Sequence, residues 1–253
     1  MKAREIAAVL ESFAPLETQE PWDNAGFSVG SPDAEVHAVL VGFDCTPDLV
    51  REAVARGADM IVTHHPLIFG GPKHIDPGEP VGEAVWEAVR HGIVIYAAHT
   101  NADKAAGGVN ALMAARLGLV DVEALDASGL AFTGLLPDPM PGKDFCAYVK
   151  ERFALRTLRC SAPVAEVCRV ATSCGSGSSF AEAAFAAGAD AFVTGDVSYH
   201  RFFVPEGRMI LDIGHYESEA EIVGKFVSVL QKNLPTFAVY TTALKHNNPI
   251  YYY

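Results

Sequence analysis

His64 and His65 stand side by side after the apolar run MIVT (60–63) and directly before Pro66. Imidazoles at the end of a buried strand can ligate metal, and neighbouring side chains in extended backbone point in different directions. The pair therefore suits two adjacent ions better than one chelated ion. His215 and Glu219 are four apart, so a helix over GHYESEAEIVGKFVSVL places them on one face about a turn apart, with Glu217 pointing away. Acids early in a helix also suit its macrodipole, which accounts for some of Glu217, Glu219 and Glu221 but not for His215. Asp103 closes the run His99-Thr-Asn-Ala-Asp103, which matches His215-Tyr-Glu-Ser-Glu219 as His-x-x-x-carboxylate. Three imidazoles with two carboxylates suit zinc, iron, manganese, cobalt or nickel, and suit calcium poorly. Five ligands are too many for one open tetrahedral zinc, yet leave open positions when spread over two ions. Two such ions about 3.5–4 Å apart activate a shared water, which is the chemistry of hydrolysis.

Further polar residues sit at or just after the same strand ends. Asp44, His99, Asp196 and His200 can take part in the chemistry, His99 and His200 as proton carriers, but a helix cap or a supporting hydrogen bond explains each equally well. The GSGSS segment (175–179) has the composition of a phosphate-cradling turn and equally that of a plain tight turn.

The elements that must position these residues alternate. AVLVGF (38–43), PDLVREAVARG, MIVT, VGEAVWEAVRHG and IVIYAA (93–98) read strand, helix, strand, helix, strand, the pattern of a parallel α/β sheet. A proline- and glycine-rich segment, 129–142, follows. The pattern then restarts with VCRVATS (167–173), FAEAAFAAGA, AFVT (191–194) and MILDIG (209–214). A slide of 131 positions lays GADMIVTHH (57–65) on GADAFVTGD (188–196) without a gap, so the two halves look duplicated. The expected fold is α/β: two similar, interlinked halves with mainly parallel sheets and the metal site in a cleft between them. The halves are 1–128 and 129–253, the first also able to claim the C-terminal strand, about 236–253. Ligand crevices form at the C-terminal ends of such strands, where the candidate ligands lie.

Half of the 253 residues are apolar and a fifth are charged, which excludes a disordered chain and fits a well-covered surface, as in an oligomer. The net charge of -12 disfavours nonspecific nucleic-acid binding. Ile6, Val9, Leu10 and Phe13 share a helical face, and the apolar stretch 6–10 is too short for a signal-peptide core. No stretch is long enough to span a bilayer. Five cysteines without a Cys-x-x-Cys pair indicate neither a disulfide framework nor a zinc knuckle, so a cytoplasmic location is expected.

The blocks PWDNAGFSVG (21–30), THHPLIF (63–69), HTNAD (99–103), GSGSSF (175–180), TGDVSYH (194–200), DIGHYESE (212–219) and NNP (247–249) resemble, in order and over nearly the whole chain, the NIF-three-like family of dinuclear metal-centre hexameric proteins, some of which carry the name type 2 GTP cyclohydrolase I. The resemblance implies that His64, His65, Asp103, His215 and Glu219 hold two divalent ions, with Glu219 bridging. It also implies a toroidal homohexamer and a small-molecule or nucleotide substrate. Asn24, with Asp44 and Asp196, is expected to support the metals or meet substrate. Some relatives carry an extra domain where this chain has only a short segment, roughly 145–166. The expected function is metal-dependent hydrolysis of a nucleotide or related small molecule; the alternatives are metal delivery or a regulatory scaffold without turnover.

Overall fold

The computed structural model describes residues 1–244 and 248–253, so Asn247 of the NNP block lies outside the described residues. Contacts divide the chain into two units, 1–106 with 222–249, and 107–221 with 250–253. The first unit opens with α1 (Ala3–Phe13), β1 (Gly26–Val29), β2 (Ala38–Val41), α2 (Pro47–Arg56), β3 (Met60–Thr63), α3 (Pro80–His91), β4 (Val94–Ala97) and α4 (Thr100–Lys104). The second unit contains α5 (Val109–Arg116), β5 (Val120–Ala124), β6 (Phe132–Met140), α6 (Gly142–Arg152), β7 (Arg159–Cys160), β8 (Val167–Thr172), α7 (Ala181–Ala186), β9 (Ala191–Thr194), β10 (Met209–Asp212) and α8 (His215–Glu219). The chain then returns to the first unit with α9 (Ile222–Asn233) and β11 (Ala238–Thr241). Residues 107–128, which the sequence pattern groups with the first half, group instead with the second unit, because β5 pairs with β6 and α5 packs on it.

The first sheet runs β1-β4-β3-β2-β11, parallel except for β1. Its central strands are buried throughout, which is why they read as unbroken apolar runs rather than alternating ones. Helix α2 starts where Thr46 Oγ1 accepts the Leu49 N–H at 3.2 Å and Pro47 fills the first turn, and it stops at left-handed Gly57. Its Leu49, Val50 and Ala53 pack in one core with Ala84, Val85 and Ala88 of α3 and with Leu40, Ile61 and Ile95.

The second sheet runs β5-β6-β8-β9-β10-β7, with a parallel centre of β8, β9 and β10 and antiparallel flanks. The segment 129–142, which reads as a break in the sequence, is largely strand β6. Its pairing with β8 is irregular between Leu135 and Met140, and Pro137 and Pro139 occupy that stretch, where a missing N–H costs least. The helix read over GHYESEAEIVGKFVSVL is two helices, α8 and α9, with Ala220 and Glu221 between them; His215 and Glu219 share α8.

The duplication is written into the hydrogen bonds. Asp59 Oδ2 accepts the N–H groups of His37 and Ala38, and Asp190 Oδ2, 131 residues on, accepts those of Cys168 and Arg169. Ala58 N donates to Ala53 O at 2.9 Å, and Ala189 N donates to Ala184 O at 3.0 Å. Gly57 and Gly188 both take positive φ. The repeated Gly-Ala-Asp therefore does one job twice: it stops a helix and holds the entry of a strand.

The next strand follows a different offset. Met60 pairs with Val94 as Ala191 pairs with Met209, and Ala98 N reaches Thr63 O as Ile213 N reaches Thr194 O. On that register His99 corresponds to Gly214 and His215 to Thr100. The His-x-x-x-carboxylate match is one residue out of step with the strands, so His99 caps α4 while His215 opens α8.

Candidate metal centre

In the first unit, β3 delivers its two histidines through a turn in which the N–H groups of His64 and His65 both reach Phe43 O, at 3.1 and 3.3 Å, while Thr63 Oγ1 donates to His65 O at 2.8 Å. His64 is fully buried, with Nδ1 2.9 Å from Ala98 O. His65 Nδ1 lies 2.7 Å from Asp44 Oδ1. A carbonyl oxygen can only accept, so the proton of a neutral His64 ring sits on Nδ1 and the lone pair on Nε2; the carboxylate of Asp44 imposes the same tautomer on His65. Phe43 packs against both rings, at 5.7 and 4.7 Å between centroids.

Asp103 enters from α4, a single turn buried on Thr100, Asn101 and Ala102. Asn101 holds that turn, accepting His99 N–H at 2.9 Å and donating to Ala14 O at 2.8 Å. Asp103 Oδ1 is 3.5 Å from His64 Nε2. A lone pair facing a carboxylate oxygen is favourable only when the ring takes a second proton or both atoms ligate a cation, and burial of both groups makes a cation effective here.

His99 completes this cluster: His64, His65 and His99 offer ligand atoms that all lie within 4.8 Å of one another. Its Nδ1 is 2.8 Å from Asp23 Oδ1, and Asp23 Oδ2 accepts from both the N–H and the hydroxyl of Thr100. Burial works to raise the Asp23 pKa, but the His99 and Thr100 hydrogen bonds outweigh it and lower the carboxyl to about 2. Nothing local in the sequence marks Asp23; the expected support is its neighbour Asn24, which is exposed and donates to Ile68 O at 2.6 Å. Cys45, next to Asp44, is pushed up to about 12 by burial and the Asp44 charge, so it offers no thiolate.

In the second unit, α8 presents His215 and Glu219 with Nε2 and Oε2 3.0 Å apart. His215 Nδ1 lies 2.7 Å from Asp196 Oδ2, the same anchoring that Asp44 gives His65. Glu219 is buried, and Gly175 lies against it: a Cβ at Gly175 would overlap Glu219 Oε1 and come within 3.2 Å of His215 Cε1. The glycines of GSGSS thus serve close packing; Gly177 is likewise hemmed in by Ser173 and Thr194. Glu217 turns the other way, beside Gly214, where it hydrogen-bonds Tyr252. His200 lies on an exposed 3-10 turn (Tyr199–Phe202), between the rings of Tyr199 and Phe203, lining a surface pocket of about 440 Å³.

The donor sets are those of a borderline metal: imidazole with tautomer fixed at Nδ1, and buried carboxylate. They fit zinc, iron, manganese, cobalt or nickel.

The Duf34/NIF3 (NGG1p interacting factor 3) family matches residues 1–249. A Clostridium acetobutylicum protein named GTP cyclohydrolase 1 type 2 homolog is 31% identical over 260 residues, covering 99% of this chain and 97% of that protein. A Streptomyces coelicolor protein of the same name is 36% identical over 231 residues, covering 85% and 80%. Among solved structures, a Bacillus cereus protein related to NIF3 superimposes with a TM-score of 0.91 at 23% identity, covering 100% of this chain and 99% of that one. A Staphylococcus aureus hypothetical protein superimposes with a TM-score of 0.89 at 27% identity, with the same coverage.

Proposed function

The chain belongs to the Duf34/NIF3 family, and we propose that it is a metal-dependent hydrolase of a nucleotide or related small molecule, its two divalent ions held by His64, His65, Asp103, His215 and Glu219, with Glu219 serving both. One observation carries this reading: His64, His65 and His215 are each tied at Nδ1 to an oxygen acceptor, which leaves the Nε2 lone pair able to take a metal, as it also does in His99. The ions, when bound, supply Lewis-acid activation of water near neutrality.

The chain's own residues supply the proton path and the shape. His99, beside His64 and His65 and oriented by Asp23, is the proton carrier. Phe43 walls both rings on one side and lowers the local dielectric. His200, on its exposed turn, is the less suited of the two candidate carriers. For GTP, named by the relatives' description, water would add at C8, a C8–N bond of the imidazole ring would break, and His99 would carry the proton from the attacking water to the departing nitrogen. A protein that only stores or delivers metal needs the same ligands but no oriented proton carrier, so the Asp23–His99 pair favours hydrolysis.

The assembly that suits this reading is a homohexameric ring. Val81, Trp86 and Val89 are exposed along α3, a cost that burial against another copy removes. Among the described residues no helix is long and apolar enough to cross a membrane.

A screen of nucleotides including GTP, with wild type and His99→Ala, tests the function. His99→Ala keeps its metal and loses about 10²-fold or more in turnover, the scale of a general acid or base. A metal-loaded wild type that turns over nothing would refute hydrolysis and leave metal delivery.

A further inference from the structure

Beside the histidine cluster of the first unit stand two large aromatic side chains in water: Trp22 is 59% exposed and Phe69 54%. Their centroids are 6.1 Å apart with the planes tilted by 41°. Both meet His99 edge-on, Trp22 at 6.2 Å and 75°, Phe69 at 5.5 Å and 74°. Exposed aromatics on a monomer are common singly; a pair converging on a buried imidazole cluster is not a scattered surface feature.

The pair is also held in place. Trp22 precedes β1, whose Gly26 pairs with Ala97 at the end of β4, and Phe69 lies six residues beyond Thr63 at the end of β3, so one loop leads into a strand start beside the end of β4 and the other leads out of β3. Asn24 Nδ2 donates to Ile68 O, tying the Trp22 loop to the Phe69 loop, and Asp23 ties the Trp22 loop to His99 and Thr100. Two loops pinned to each other and to the cluster spend hydrogen bonds to keep apolar ring faces in solvent. Ring faces so presented take a stacked planar group, because stacking removes apolar area on both partners without demanding a particular hydrogen-bond pattern.

We propose that Trp22 and Phe69 form a stacking subsite for a planar heteroaromatic ring, which places that ring next to His99 and selects substrates carrying one. The inference rests on the reading of the His64, His65 and His99 region as the reaction site and adds which part of the substrate is recognised. Trp22 and Phe69 are specificity residues and make no bond to reacting atoms.

The chain has two tryptophans, Trp22 and Trp86, so Trp86→Phe leaves Trp22 as the reporter. Fluorescence of metal-loaded Trp86→Phe protein is titrated with GMP and, separately, with ribose 5-phosphate, which carries the same sugar phosphate without the ring. Metal content is measured on the same samples by elemental analysis. GMP quenches Trp22 saturably and binds more tightly than ribose 5-phosphate. Adding Phe69→Ala weakens GMP by at least about fivefold, the low end for loss of one stacking partner, while ribose 5-phosphate and metal content are unchanged. Equal affinity for the two probes, or GMP binding untouched by Phe69→Ala, overturns the subsite. Absence of GMP binding at full metal content overturns it too and leaves the metal assignment standing, whereas loss of metal points to failure of the site itself. A Phe69→Ala protein that changes assembly mass while keeping GMP affinity shows the pair to be a contact between copies, which also overturns the proposal.

Discussion

His65 Nδ1 lies 2.7 Å from Asp44 Oδ1, so a carboxylate on the loop after β2 decides which nitrogen of a β3-borne imidazole carries the proton. Asp44→Asn keeps the shape and removes the charge that fixes this tautomer. Metal affinity should fall by about 10–100-fold, the range for loss of such a support. Isothermal titration with zinc checks it, and an unchanged affinity would mean that Asp44 serves only the loop.

Gly175 separates strain from crowding. Gly175→Ala should displace the Glu219 carboxylate and weaken metal binding, because the new methyl group occupies its place. Gly57→Ala is the control: φ is +66° there, nothing lies within 4 Å, and the change costs only about 1–2 kcal/mol of backbone strain. Thermal unfolding and metal titration of both variants distinguish the two. Loss of stability in both with metal retained in both would contradict the crowding argument.

Asp23 sets a pH dependence with a definite sign. A carboxyl lowered in the folded state contributes stability that is present above its ordinary pKa of 3.8 and is lost as pH falls toward about 2. In metal-free protein, wild type should therefore exceed Asp23→Asn in urea midpoint near neutrality, and the gap should close between about pH 4 and pH 2. A gap independent of pH over that range would show that Asp23 acts through shape alone.

The strands were legible because buried parallel strands read as continuous apolar runs, and the 131-residue slide found real equivalence since Asp59 and Asp190 perform the same capping. The closeness of His215 and Glu219 on α8 was legible because i and i+4 share a face whatever the helix length. What the sequence hid is long-range. Asp23 acts on His99 across 76 residues of chain, and no local pattern announces that contact. Pairing His99 with His215 slipped by one residue because the motif matched while the strand register, set by Thr63 O and Thr194 O, did not. Strand β6 was hidden by its prolines, which its irregular pairing tolerates.

Assembly is tested by light scattering at micromolar concentration. The homohexamer predicts about six times the 27.0 kDa of one chain, and a mass near that of one chain would contradict it.

The central claim is a dinuclear centre, and the stoichiometry of bound metal tests it most directly. Elemental analysis of protein saturated with a divalent ion should give two ions per chain, with Glu219→Gln weakening both and Glu217→Gln, whose side chain faces Gly214 and Tyr252, leaving both. Saturation at one ion per chain with no second, weaker site, or equal effects of the two substitutions, would contradict the account.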